Sequence, residues 1–424
     1  MKLFIVAGEA SGDQLGARLL ADLRKLNPSM EVRGIGGAAM ATEGMASIFP
    51  MQELSLMGLA EVLPKISNIV RRLNNTVKAV YEFCGVSPQH KMSPRPRAGV
   101  CLDVCAVLQN VCLLNRRPRD KPGVTDLEGG EIVTIVTIDA PDFCKRLARR
   151  LQPLRRAGRV KLIHYVAPTV WAWRPGRAKK MAELFDHLLC LFPFEPPYFE
   201  KVGLPATFVG HPITTSPALA AASADRLRAK LGIRPDQPVL CLLPGSRAGE
   251  VQRLLPVFLE TFARLKIQQP DLIGLLPTLP TLGLDAHEGI FVLTDPQDKW
   301  DAFALAASEG SGAIAASGTV TLELAAAGVP HLVAYKMHAM TYWIARALVK
   351  LPFVNLVNIL AGKEIVTEIL QGDVTAENLA REYQSVLQNA AAQKTAMTEQ
   401  LEKLRAAVPD AAAQILIRIT SRLP

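Results

Sequence analysis

The chain has 424 residues, more than one ordinary hydrophobic core accommodates, so two domains are expected. Apolar residues make up 49% and charged residues 21%, which is typical of a globular protein and excludes a disordered one. The net charge of +9 favours acidic partners, but no zinc-finger spacing, RNA-binding aromatic signature or uninterrupted basic tail is found, so nucleic acid is not an expected partner.

Membrane spans, leader segments and metal sites are not expected either. No run of about 18 uninterrupted apolar residues predicts a membrane-spanning helix. The N-terminal segment MKLFIVAGEASGD is too short in apolar residues for a signal peptide, which indicates the first strand of a cytoplasmic protein. The seven cysteines lack the spacing of metal ligands, and an odd count in a cytoplasmic chain predicts free thiols.

Strands and helices alternate through the first half of the chain. LFIVAG (3–8) predicts a strand, GEASGD (8–13) a glycine-rich turn, and residues 14–26 carry apolar side chains at helical spacing. Three more strands are predicted at 32–37, 131–139 and 160–166.

The second half begins in the same way. PVLCLL (238–243) predicts a strand, PGSRAGE a turn, and residues 251–265 a helix. Further strands are predicted at 272–278, 290–295, 312–318 and 331–336. This alternation predicts an α/β fold with two Rossmann-like domains facing each other across a cleft. The first domain is expected at residues 1–213 and the second, with C-terminal helices, at residues 214–424.

Ligands of such sheets bind beyond the carboxyl ends of the strands, which directs attention to the residues that follow each strand. Asp139 comes directly after the apolar run EIVTIVTI, where a carboxylate is either a turn residue or a working group. Neither glycine turn has the P-loop or G-x-G-x-x-G pattern, and GSRAG around Ser246 is not a nucleophile elbow.

Two loops in the second half can nevertheless hold a phosphate. PGSR (244–247) offers backbone N–H groups at a helix start, a hydroxyl and an arginine. ASGTVTLE (316–323) offers a similar helix start, and its Glu323 either accepts two ribose hydroxyls or only sits favourably in the first turns of a helix.

Taken in order, these segments resemble the lipid-A-disaccharide synthase family, glycosyltransferases with two Rossmann-like domains. The matching stretches are VAGEASGD, LSLMGLAEVLP, IDAPDF, HYVAPTVWAWRPGR, LFPFEPPYFEKVGLPATFVGHP, LLPGSRAGE, ASGTVTLELAAAGVP, TYWIARALVK and VNILAGKEIVTEILQ. VWAWR together with PFEP is specific to that family, whereas ASGT followed by a glutamate is shared more widely among nucleotide-sugar enzymes.

The resemblance implies transfer of a diacylated glucosamine from UDP-2,3-diacylglucosamine to the 6-hydroxyl of 2,3-diacylglucosamine 1-phosphate. It implies inversion at the anomeric carbon, release of UDP, no metal or redox cofactor, a peripheral position on the inner face of the bacterial inner membrane, and a homodimer. Asp139 would be the general base, and Asp142 fits the role of a helix cap better.

The resemblance also implies that residues 1–213 form the acceptor and lipid side and residues 214–424 the UDP-sugar side. Further roles follow from position in the matched motifs. The first-domain side of the cleft would be lined by Gly8, Glu9, Ser11, Gly12 and Asp13. UDP would be held by Arg247, Ser317, Gly318, Thr319 and Glu323, with Asn358 near it. His164 and His211 lie in matched motifs, but a histidine in a strand such as HYV is more often a hydrogen-bonded core residue. The roles of Trp171, Trp173 and Arg174 are open.

Because both substrates carry acyl chains, the protein must meet a membrane. Residues 54–73 have an apolar face and end in Arg71 and Arg72, which suits an interfacial helix that binds anionic headgroups, although a core-facing amphipathic helix has the same pattern. The basic stretch 145–161 suits either an acidic partner or an ordinary solvated helix face.

Two segments depart from the family. Residues 84–130 are expected to form an exposed, poorly ordered insertion, since they resemble no part of the family. Residues 279–289 are too few for the usual helical crossover, so a helix should be missing there and one face of the sheet under-covered.

Two other classes stay open: a non-catalytic relative that binds a UDP-sugar or lipid, and an enzyme like UDP-N-acetylglucosamine epimerase on the same scaffold. An epimerase needs no acceptor or acyl surface, so the amphipathic segment and VWAWR favour the transferase.

Overall fold

A computed structural model describes residues 1–54, 59–86, 131–172, 175–337, 352–408 and 410–421, and for residues 59–67 it describes the backbone alone. Residues 87–130 of the predicted insertion, and Trp173 and Arg174, lie outside the described residues.

The first sheet has six strands in the order β2-β1-β3-β4-β5-β6. These strands are β1 (Lys2–Ala7), β2 (Glu31–Ile35), β3 (Val133–Ile138), β4 (Val160–Tyr165), β5 (His187–Cys190) and β6 (Ala206–Phe208). The pairs β1–β2, β1–β3 and β3–β4 are parallel. All six residues of β3 are buried, as expected for a strand covered on both faces of a parallel sheet.

Helices follow most strands of the first sheet. The helices up to residue 231 are α1 (Ala10–Leu26), α2 (Ala38–Thr42), α3 (Leu59–Phe83), α4 (Pro141–Arg150), α5 (Gln152–Arg156), α6 (Arg177–Leu184), α7 (Pro196–Glu200), α8 (Pro217–Ala220) and α9 (Ala224–Leu231). The last of these, α9, packs instead with the second half of the chain, because its Leu227 lies in one hydrophobic cluster with Val239 and Phe303. Helix α1 forms because its leucines at 15, 19, 20 and 23 recur at helical spacing and are buried, and because basic residues occupy its last turn.

The second sheet also has six strands, in the order β12-β11-β10-β7-β8-β9. They are β7 (Val239–Leu243), β8 (Ile273–Pro277), β9 (Ile290–Leu293), β10 (Gly312–Ala316), β11 (His331–Tyr335) and β12 (Glu368–Leu370), all paired in parallel. The helices are α10 (Ala248–Gln268), α11 (Pro296–Ala306), α12 (Val320–Ala326), α13 (Leu356–Ala361), α14 (Ala376–Gln388), α15 (Ala390–Glu402) and α16 (Ala411–Ser421).

Alternate residues of β7 enter different hydrophobic clusters, which shows that this sheet is covered on both faces. Leu240 and Leu242 pack in the cluster that contains Phe258 of α10. Cys241 belongs to the other cluster, with Phe303 of α11. This is the two-residue period of a strand between two layers of helices.

The prediction of a missing crossover helix is confirmed. Between the parallel strands β8 and β9 the chain forms only a 3₁₀ turn, Pro280–Leu282. Phe291 and Val292 of β9 are only partly buried, so the cover of the sheet thins at this edge.

Backbone contacts divide the chain into two compact units. One comprises Met1–Tyr165, Glu183–Leu188 and Ala412–Pro424, and the other Val166–Ala182 and Leu189–Ala411. The C-terminal helix α16 therefore belongs to the first unit, where Lys161 Nζ donates to the Ile419 carbonyl, and not to the second domain as expected from the sequence. The predicted boundary at 213 lies between β6 and β7, the last strand of one sheet and the first of the other, whereas the second compact unit already includes residues 166–182 and 189–213.

The first three residues of the predicted insertion, 84–86, continue directly from α3. Cys84 is buried, and the N–H groups of Cys84, Gly85 and Val86 donate to carbonyls in the last turn of α3. Gly85 has φ +68°, the left-handed conformation that commonly ends a helix. These three residues form the C-terminal cap of α3.

Candidate functional site

Each sheet has one switch point, a pair of neighbouring strands from which the chain adds its next strands on opposite sides. Most of the predicted site residues follow the strands at these two switch points. In the first sheet this place is between β1 and β3, and in the second sheet it is between β7 and β10. The strand order of the second sheet is that of the dinucleotide-binding fold. Ligands of open parallel sheets bind at such switch points.

Asp139 lies at the first switch point in a strained turn. Asp139 and Ala140 have φ +51° and +41°, which non-glycine residues rarely adopt. Asp139 N–H donates to the Tyr165 carbonyl at 3.0 Å, which fixes the turn to the end of β4. Such strain concentrates at functional sites, because the surrounding structure must hold it in place.

The carboxyl of Asp139 is half-buried, and burial raises its pKa, while a hydrogen bond from the Ala140 N–H acts in the opposite direction. The turn after β1 approaches it closely: a Cβ on Gly8 would lie 2.7 Å from the Cβ of Ala140. Glycine is therefore required at position 8, and the structure places Gly8 beside Ala140, the residue that follows Asp139.

The other residues predicted in this loop divide into packing and exposed positions. Gly12 is buried against Ala7 and Ile138, where an added Cβ would lie 3.3 Å and 3.5 Å from their side chains. Glu9 precedes α1 with an extended backbone and is partly exposed, and Ser11 is exposed.

Asp13 is occupied within the protein. Its carboxylate, on a residue only 6% exposed, accepts N–H groups from Gly37 at 2.7 Å, Ala39 at 2.9 Å and Met40 at 3.1 Å. These are the unsatisfied donors at the start of α2, so Asp13 acts as a cap supplied from another helix. This role accounts for an aspartate at position 13 without a ligand.

At the second switch point, the loop 244–247 leads from β7 into α10. Gly245 has φ +113°, and Arg247, the residue before the helix, is 68% exposed in its side chain. Arg247 Nη1 lies 3.1 Å from Glu250 Oε1. The 21-residue helix presents the positive end of its dipole to this loop, which favours an anion there.

The loop after β10 lies beside it in sheet order. Ser317 Oγ donates to the Val354 carbonyl at 2.9 Å, Gly318 faces open space, and Thr319 precedes α12. Glu323 is not a free acceptor, because Lys299 Nζ lies 2.6 Å from its Oε2. Lys299 was not singled out by the sequence.

Asn358, predicted near UDP, is fully buried and its amide is fully hydrogen-bonded. Its oxygen accepts the N–H groups of Ile365 and Val366, and its nitrogen donates to the Val366 carbonyl and to Glu368. Asn358 therefore holds the segment around it in shape, and its side chain has no remaining donor for a ligand.

The two discounted histidines are hydrogen-bonded within the protein, His164 buried and His211 half-buried. His164 Nδ1 lies 2.8 Å from Thr137 Oγ1, and burial lowers its pKa to about 3, so the ring is neutral. His211 accepts the Ile213 N–H through Nδ1, and burial lowers its pKa to about 4.

Glu195 of the PFEP motif is a buried acid that the sequence analysis missed. It is 2% exposed and accepts the Trp171 Nε1–H at 3.2 Å and the N–H groups of Leu191 and Phe192 at 3.1 and 3.0 Å. Burial raises its pKa to about 7 against these hydrogen bonds. Glu195 thus links VWAWR to PFEP through Trp171.

Arg72 is not available for the headgroup role expected of it. Its Nε donates to Glu53 Oε2 at 2.6 Å, a second nitrogen lies 2.5 Å from Oε1, and its guanidinium stacks 4.6 Å from the Phe49 ring. Side chains of most of the predicted interfacial segment lie outside the described residues. Neither a membrane-spanning helix nor a cluster of metal ligands occurs in the described part of the chain.

The basic stretch 145–161 is also largely committed. Lys145 pairs with Asp142, Arg155 with Asp186, and Arg150 donates to Asn74. Arg159 and Lys161 donate to backbone carbonyls. An ordinary helix face therefore explains most of this segment.

Fold and strand-end loops together define an α/β protein with two six-stranded, Rossmann-like sheets. The structures of UDP-N-acetylglucosamine 2-epimerase from Listeria monocytogenes and from Neisseria meningitidis, the latter bound to UDP-GlcNAc, match it with TM-scores of 0.57 and 0.56. They cover 99% of this chain, with 96% and 99% of their own lengths matched, at 14% and 10% identity. At such identities the likeness shows the fold alone.

Sequence relationships select one family. The lipid-A-disaccharide synthetase family profile matches residues 3–83 and 120–417. Lipid-A-disaccharide synthases from Rhodospirillum centenum and Ruegeria pomeroyi are 44% and 41% identical, covering 89% and 95% of this chain and 83% and 91% of their own lengths. The chain belongs to the lipid-A-disaccharide synthase family and is a glycosyltransferase of lipid A biosynthesis, which sets aside the epimerase and the non-catalytic relative.

The family match also narrows the insertion. It leaves residues 84–119 unmatched but includes 120–130, which the sequence analysis had assigned to the inserted segment.

Proposed function

We propose that the chain transfers the diacylglucosamine of UDP-2,3-diacylglucosamine to the 6-hydroxyl of 2,3-diacylglucosamine 1-phosphate, with Asp139 as the general base. The observation that carries this proposal is the strained turn at the end of β3, which holds a half-buried carboxylate at a switch point. A turn that served only to connect β3 to α4 would not need two left-handed non-glycine residues in succession.

In the proposed step, Asp139 accepts the proton of the acceptor 6-hydroxyl as its oxygen bonds to the anomeric carbon. The bond from that carbon to the UDP oxygen breaks, and attack from the opposite side inverts the configuration. Partial burial makes the carboxylate a stronger base, while the hydrogen bond from Ala140 N–H favours its ionised form.

On the donor side, the diphosphate would be bound by Arg247 and the N–H groups of loop 244–247. Ser317, Gly318 and Thr319 would complete the nucleotide site, and Glu323 would accept ribose hydroxyls. Because Lys299 already pairs with Glu323, the ribose hydroxyls would either bind the Glu323 carboxylate beside Lys299 or displace Lys299 from it. Asn358 would support this site without touching the ligand, by holding the backbone of residues 365 and 366 through its hydrogen bonds.

On the acceptor side, Gly8, Glu9 and Ser11 would line the binding surface. Gly12 and Asp13 would shape the loop without touching the substrate, because packing and the cap of α2 already occupy them. Both lipid substrates place the enzyme at the inner face of the bacterial inner membrane, bound peripherally, and a homodimer is the proposed assembly.

The proposal is tested with radiolabelled UDP-2,3-diacylglucosamine and the diacylated acceptor in detergent micelles. Formation of a labelled disaccharide 1-phosphate together with one UDP per disaccharide is expected, and UDP-GlcNAc should be a poor donor. Release of UDP without disaccharide, or epimerised UDP-GlcNAc as the product, would contradict the assigned reaction.

A further inference from the structure

Glu250 is an acid placed beside the loop proposed to bind a diphosphate. It lies in the first turn of α10, its Oε1 is 3.1 Å from Arg247 Nη1, and its side chain is 22% exposed. A carboxylate close to a phosphate site repels the ligand, so its presence there needs a reason.

The backbone of the loop is built around this carboxylate. A Cβ on Gly245 would lie 2.5 Å from Glu250 Oε2 and 2.9 Å from Glu250 Cβ, so the acid fills the space that a side chain at 245 would take. Tyr335, at the end of β11, lies close enough to Glu250 and Arg247 for both charges to act on its hydroxyl. Burial and Glu250 raise the pKa of Tyr335, whereas Arg247 and Arg253 lower it. The acid therefore faces the loop and the arginine together.

We propose that Glu250 is a positioning residue that holds Arg247 in the free enzyme and gives it up to the diphosphate of the nucleotide. Donor binding breaks the Arg247–Glu250 ion pair, and UDP release is favoured because the pair re-forms. This inference rests on the proposed binding of UDP by Arg247. Glu250 and UDP then compete for Arg247, and this competition limits the affinity of the enzyme for the product UDP.

The expected effect is modest because the pair is exposed. Exposed ion pairs are weak, and the repulsion between a carboxylate and a nearby phosphate is of similar size in water. Removing the charge of Glu250 abolishes both the ion pair with Arg247 and this repulsion, which should tighten UDP binding by about threefold to tenfold. An acid that only stabilises the helix start gives the opposite sign, because its loss would loosen the loop and weaken UDP binding.

The test is calorimetric titration of UDP into the full-length wild type, Glu250→Gln, Arg247→Ala and the double variant. Glutamine keeps the shape beside Gly245 and removes the charge. Glu260→Gln is the matched control, because Glu260 forms an exposed ion pair with Arg264 on the same helix, 2.9 Å apart and away from the loop. All variants should retain a cooperative melting transition.

We expect Glu250→Gln to tighten UDP binding threefold to tenfold, Glu260→Gln to leave it unchanged, and the gain to shrink when Arg247 is already alanine. If Arg247→Ala weakens binding but Glu250→Gln does not tighten it, the competition is refuted and the proposed UDP site stands. If Arg247→Ala has no effect, the arginine's proposed contact with UDP fails and the inference fails with it.

Discussion

Replacing Glu195 by glutamine should remove a component of stability that depends on pH. Burial raises the pKa of this acid from 4.5 to about 7. The folded protein therefore holds the proton more tightly than the unfolded chain. The resulting stabilisation is present below pH 4.5 and is lost as the pH rises towards 7. At about 1.4 kcal/mol per pKa unit, the loss is about 3 kcal/mol.

The assay is denaturant unfolding of the full chain at pH 5 and at pH 7.5. Tryptophan fluorescence monitors the transition, because Trp171 donates a hydrogen bond to the Glu195 carboxylate. The wild type should lose about 2–3 kcal/mol more than Glu195→Gln between these two pH values. The matched control is Glu200→Gln, an exposed acid five positions further along, which should keep the wild-type pH dependence. An identical pH slope for wild type and Glu195→Gln would refute the assignment of a buried, proton-binding Glu195.

Two further predictions concern the loops that follow β1 and β7. Asp13→Ala should lower the free energy of unfolding by about 2–3 kcal/mol, because three N–H groups at the start of α2 lose their acceptor, and Asp13→Asn should cost less; equal stability of Asp13→Ala and wild type in denaturant melts would exclude the cap. Arg247→Ala should weaken UDP binding by about tenfold to a hundredfold in calorimetry, since a charge-assisted contact to phosphate contributes about 1.5–3 kcal/mol, and an unchanged affinity would remove this arginine from the site.

The parts of the fold that could be predicted from the sequence are those with a strong local pattern. Residues 133–138, VTIVTI, are six buried apolar or β-branched positions in a row, which few structures other than a covered strand allow. Of the four strands with only three or four residues, β9 was predicted and β5, β6 and β12 were not, because so short a strand shows little periodicity to distinguish it from a loop.

The site was predicted by position but not by contact. Asp139 and Arg247 lie at the ends of strands, and strand ends can be read from the sequence. The occupation of Asp13 by N–H groups 24 to 27 residues away, and of Asn358 by its own loop, depends on long-range geometry that no local pattern contains. Glu195 had a usable signal: an acid between prolines and phenylalanines, directly after an apolar run, has few ways to remain solvated.

Turnover by Asp139→Asn tests most directly the claim that the strained turn holds the catalytic base. Asparagine keeps nearly the same shape but cannot accept the proton of the acceptor hydroxyl, so kcat should fall by about 10²–10⁴-fold while UDP affinity and melting temperature stay close to the wild type. Turnover at the wild-type rate would contradict the claim and leave Asp139 as a turn residue. Loss of the folded state would show instead that its carboxylate is structural.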